Sequence, residues 1–165
     1  MPSGPLRNES SFLISSLQRY FTLGRTLPTY RMLVEGYLGS WRRLLKRLPG
    51  ETRQAFEQVA IHAHTFADAS GNSPNGQYIQ NILLSIALGQ YQQLRRLEGA
   101  DTGADPRMVD HIPPALEVFR YSLRKEDRWY LDELLADLDR MGLPLTDLSS
   151  ILLAMFVFVS RKTGY

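Results

Sequence analysis

Arg31, Arg42, Arg43, Lys46 and Arg47 recur at a spacing that gathers them on one side of a helix over 29–48. Guanidinium and ammonium groups hold phosphate oxygens by charge and by donated hydrogen bonds. They need no base contact, so such a face can bind a nucleic-acid backbone without reading its sequence. The other side of the same helix is filled by Tyr30, Leu33, Val34, Tyr37, Leu38, Trp41, Leu44, Leu45 and Leu48, an apolar arc of roughly 140°. Glu35 is the only acid among the bases, and Gly36, Gly39 and Ser40 lie with them. Small residues there let a partner's backbone approach closely, although each Gly costs a helix roughly 1 kcal/mol relative to Ala. Arg7, Arg19 and Arg25 stand in the same third of the chain. The plain alternative is an Arg-rich helix that is merely solvated.

The other chemistry-bearing groups fall short of a site. His62 and His64 are two positions apart, which turns them about 200° from each other on a helix, too far to share one ion. His111 is the only other histidine and there is no cysteine, so zinc-type ligand sets are not assembled. Asp132, Glu133, Asp137 and Asp139 form two neighbouring rows, but no nucleophile, histidine or cofactor loop accompanies them. They are expected to form a solvated acidic face. The stretch from Asp68 to Gly76 carries oxygen ligands but lacks the alternating acids, central Gly and closing Glu of a calcium loop. Phosphate-cradling Gly-rich loops, serine elbows and HExxH are absent. The expectation is a chain with no catalytic residue, no bound metal and no cofactor.

These groups must be positioned by helices, because apolar residues recur at helical spacing and no segment alternates like a half-buried strand. Residues 1–9 are expected to be a flexible leader and 10–165 one helical domain. A first helix over 10–23 is capped by Ser10 or Ser11; the basic helix over 29–48 follows, and a third spans 51–69. The turn formers of 70–76 predict a loop, with Ser73 and Pro74 suited to open a helix over 74–97 that turns Ile79, Ile82, Leu83, Ile86 and Leu94 inward. Gly99 suits its end, and the polar stretch near 99–110 predicts a mobile linker. Pro113 and Pro114 open a helix carrying Leu116, Phe119 and Leu123. The charged run 124–128 predicts a junction in which Asp127 caps a helix over 129–141. The last helix, 146–162, is apolar all round between Ile151 and Val159, with Leu152, Met155, Phe156 and Val159 sharing one side. Such a helix belongs at the centre of its bundle or against a partner. The fold class is all-α, a compact bundle of six or seven helices.

Composition agrees. Hydrophobic residues at 44% and charged ones at 22% fit a globular chain. The longest apolar run has nine residues, against roughly 20 for a membrane span. No secretory signal is visible, Asn8-Glu9-Ser10 has no export signal to make it a glycosylation acceptor, and the expected location is cytoplasmic. The net charge of +2 hides an asymmetry: residues 1–48 hold eight Arg and Lys against two Glu, and 101–165 hold eight against eleven acids. A basic front and an acidic back suit an anionic partner or self-association.

In profile (small, Cys-free, basic, helical) the chain resembles the small subunits of CRISPR RNA-guided effector complexes, helical bundles that line nucleic-acid strands. The resemblance covers architecture and charge. The expected function is a non-enzymatic helical subunit of a larger assembly with protein partners, touching nucleic-acid backbone through the basic helix. The alternatives are a protein–protein adaptor acting by docking or self-association, and a small-molecule-binding bundle.

Overall fold

In the computed structural model, which describes residues 29–72 and 78–162, helix α1 (Tyr30–Leu45) starts where Thr29 is extended and its Oγ1 accepts from the Met32 N–H at 3.3 Å. This satisfies one of the amides that a helix start leaves without an intrahelical partner. Helices α2 (Gly50–Thr65), α3 (Ala67–Gly71), α4 (Tyr78–Leu97), α5 (Pro114–Ser122), α6 (Lys125–Arg140) and α7 (Leu148–Lys162) follow. Every regular element among the described residues is a helix, as periodicity predicts. The leader, the helix over 10–23 and the Ser73-Pro74 start lie outside the described residues.

Helix ends show why the boundaries differ from expectation. Gly99 and Gly142 both take φ of 72°, a left-handed conformation that glycine adopts without a Cβ penalty. Behind them, Ala100 N–H reaches Arg95 O at 2.9 Å and Leu143 N–H reaches Leu138 O at 3.2 Å, the double-bonded C-cap of each helix. Helix α6 starts four residues before the expected 129, because extended Arg124 is its N-cap and the charged residues 125–128 form its first turn. Asp127 is therefore inside the helix, where it accepts from Gln92 Nε2 at 2.8 Å instead of capping. The capping carboxylate of α7 is Asp147, which accepts from both the N–H and the hydroxyl of Ser150; these bonds hold its pKa below the ordinary value. The helix expected over 51–69 breaks at Phe66, and Ser70 and Gly71, expected in a loop, belong to α3.

Helix α4 is the axis of the bundle and touches α1, α2, α3, α6 and α7. Its Ile82 and Ile86 join Tyr30, Val34, Leu38, Ala60, Ala63 and Ala67 in one core. Leu84, Leu88 and Tyr91 enter a larger core with Phe66, Leu116, Phe119, Leu131, Leu135 and Ile151. Ile79, expected inward, is 36% exposed. The last helix, expected at the centre of the bundle or against a partner, buries Leu148, Ile151, Leu152, Ala154, Met155 and Phe158 in α7, while Leu153, Phe156 and Val157 stay exposed. Buried Asn81, Ser85 and Gln92 disguise α4 as half-solvated, yet Ser85 Oγ donates to Asn81 O at 2.8 Å and Gln92 is bonded to Asp127. A buried polar group that keeps a hydrogen bond avoids most of its desolvation cost.

Close approach of α2 to α4 depends on Gly89, since a Cβ there would overlap the His62 ring and lie 2.8 Å from the His62 Cβ. Gly89→Ala should cost about 1–3 kcal/mol by overpacking. Gly36→Ala meets nothing within 4 Å and should stabilise by about 0.5–1 kcal/mol through helix propensity. Urea unfolding of both variants checks this; losses of equal size would show that the helix contact does not depend on Gly89.

The segment 98–113 is irregular, as its composition predicts, but it is fastened. The Trp129 indole N–H donates to Ala104 O at 2.8 Å, Arg107 is ion-paired to α6, and Val109 and Ile112 pack on the larger core. The expected mobile linker is therefore a tethered crossing.

Candidate functional site

The basic residues of α1 divide into two groups. Arg31 is exposed and donates to Asp68 of α3 at 3.4 Å. Arg42 is half-buried; its Nε and Nη2 grip both oxygens of Glu57 at 3.1 and 3.3 Å, and its Nη1 reaches Glu35 at 3.3 Å. The Glu57 bond raises the Arg42 pKa, with burial opposing. Glu35 also accepts from His64 Nε2 at 2.7 Å. These groups clip α1 to α2 and α3, and exposed pairs of this kind contribute about 0–1 kcal/mol each.

Arg43, Lys46 and Arg47 stand exposed at the other end, the last two in the turn beyond Leu45. Part of their work is local, because cations in the last turn offset the carbonyl end of the helix dipole. Around them the apolar arc departs from expectation: Trp41, Leu44 and Leu48 are 45%, 59% and 44% exposed. Tyr30, Val34, Leu38 and Leu45 are the part of the arc that is buried. The C-terminal end of α1 thus shows an indole, two leucines and three cations side by side. Gly36 and Gly39 have open space where a Cβ would stand.

The acidic residues of α6 require a correction. Asp132 and Glu133, expected on a solvated face, are only 4% and 6% exposed. Arg120 of α5 holds Asp132 through two bonds of 2.6 and 2.8 Å. Arg107 holds Glu133 through its backbone N–H at 3.0 Å and its guanidinium at 2.7 Å, and extends to Asp137 at 3.0 Å. Burial alone would raise the Glu133 pKa, but the bonds from Arg107 outweigh it and the carboxyl lies below its ordinary range. Tyr91 donates its hydroxyl to Asp137 at 3.0 Å, and burial followed by that carboxylate pushes the phenol pKa up. Each of these three acids already has a guanidinium partner, so their geometry is that of structural ion pairs. Arg107 and Arg120 carried no signal in the sequence, because their partners lie 26 and 12 positions away.

Among the described residues no three His, Asp or Glu side chains converge to hold a metal ion. His62 lies against Gly89 while His64 turns to Glu35. None of the described helices is long and apolar enough to cross a membrane.

Fold and surface together define an all-α bundle with a basic, partly aromatic helix end. The chain belongs to the family described as Domain of unknown function (DUF8156), whose model matches residues 23–105. The matched part contains α1 to α4 and the start of the crossing segment, while α5 to α7 lie beyond it. No curated protein and no solved structure matches the chain.

Proposed function

We propose that this chain is a non-enzymatic, cytoplasmic helical subunit of a larger assembly that touches a nucleic-acid backbone through the C-terminal end of α1. The observation that carries the reading is the exposure of Arg43, Lys46 and Arg47 beside Trp41 and Leu44. Cations hold phosphates, and an exposed indole offers a stacking face to bases of any sequence. Arg31 and Arg42 set the position of the helix through Asp68, Glu57 and Glu35.

The test is fluorescence anisotropy of labelled DNA and RNA oligonucleotides against salt. Binding should weaken steeply as salt rises. The triple variant Arg43→Glu, Lys46→Glu, Arg47→Glu should lower the magnitude of the log–log salt slope by about 2–3 if each side chain neutralises one phosphate. Arg42 is left in place because it braces α1 against α2. Unchanged affinity in a folded triple variant would remove this surface from consideration.

A second reading, a protein–protein adaptor, is favoured by one observation. Leu153, Phe156 and Val157 form an exposed apolar row on α7, at 66%, 43% and 45%. A row of that spacing on one helix face suits a helical partner or a second copy of the chain.

A further inference from the structure

A cleft of about 760 Å³ opens where α4, α6, α7 and the crossing segment meet, and Arg95, Arg107, Arg140, Arg161 and Lys162 converge on it. Their carboxylate partners are fewer. Arg107 and Arg140 share Asp137, Arg107 also holds Glu133, and Arg95 and Lys162 share Glu98. Five cations thus meet three carboxylates, leaving two positive charges in excess. Arg161 makes no ion pair with any described residue, and the buried Nε of Arg95 has no acceptor there.

From this geometry we infer an anion site for a diphosphate group, free or carried by a nucleotide. Two surplus charges match a diphosphate better than a single carboxylate. Guanidinium forks present paired donors at the spacing of phosphate oxygens. The volume lies within the roughly 300–1,000 Å³ usual for small-ligand sites. The existing bonds to Asp137, Glu133 and Glu98 hold Arg107, Arg140, Arg95 and Lys162 in place before any ligand arrives, which lowers the ordering cost of binding. This site is separate from the α1 surface and does not depend on it.

Full-length protein is titrated with inorganic pyrophosphate and, in parallel, with ADP, against sodium chloride of matched ionic strength. Calorimetry gives the Kd and differential scanning fluorimetry the thermal midpoint. Both phosphates should raise the midpoint, and the double variant Arg161→Ala, Lys162→Ala should weaken binding roughly tenfold or more. Equal effects of the two ligands assign the site to the diphosphate alone, and a stronger effect of ADP assigns it to a nucleotide; either supports the inference. Should the double variant melt early in chloride, Arg161→Ala alone carries the test, since that side chain holds no described partner. The α1 triple variant should bind pyrophosphate as the parent does. No stabilisation by either ligand, or binding that survives the loss of Arg161, overturns the inference.

Discussion

Replacing Arg120 with Met should lower the free energy of unfolding by about 3–5 kcal/mol, measured by urea denaturation. The side chain of Asp132 is 4% exposed and that of Arg120 only 12%, so the carboxylate depends on the guanidinium for its partner. The Asp132 bond raises the Arg120 pKa against the opposing effect of burial, so the cation is held firmly. Removing one partner leaves a buried carboxylate, which must either stay charged in a poor solvent or take up a proton. Changing both residues, Arg120→Met with Asp132→Leu, should recover most of the loss, because a well-packed apolar pair avoids desolvating two ions. A single variant within about 1 kcal/mol of the parent would mean that Asp132 reaches water after all.

Phe158→Ala should cost about 3–5 kcal/mol, whereas Phe156→Ala should cost about 1 kcal/mol or less. The rings sit two residues apart on α7 but face different media. Phe158 is 6% exposed, with its ring centroid 5.8 Å from that of Tyr91, while Phe156 is 43% exposed. Truncating the first leaves a cavity between α4 and α7; truncating the second mainly removes surface. Thermal or chemical unfolding of the two variants decides the matter. Comparable losses would show that the outer row of α7 is covered in solution, which would bring the adaptor reading forward.

These two cases also mark where the sequence stops being informative. Apolar spacing is enough to find the described helices Tyr30–Leu45, Tyr78–Leu97 and Leu148–Lys162, and the glycines at 99 and 142 mark two of the ends. Periodicity grades a residue by its own face, however, and cannot say which face a neighbour covers. Helical spacing puts Leu152, Met155, Phe156 and Val159 on one side of the last helix, yet Leu152 and Met155 are buried while Phe156 is not. On α1 the same limit left Trp41, Leu44 and Leu48 in the arc expected to be buried. Charge patterning failed for a different reason. The α6 acids looked solvated because acids usually are, and only the fold brings Arg107 and Arg120 to them. The five cations of the cleft are scattered from 95 to 162 and have no common spacing, so no local pattern could have gathered them.

Helix α4 has a further consequence for how this protein is divided. The family match ends at residue 105, but Leu84, Leu88 and Tyr91 within it share a core with Leu116, Phe119 and Leu131 beyond it. Inheritance and cooperativity therefore have different borders. A relative that kept only the matched part would present one flank of its central helix as a bare apolar seam, and would need another chain, or another set of helices, to close it.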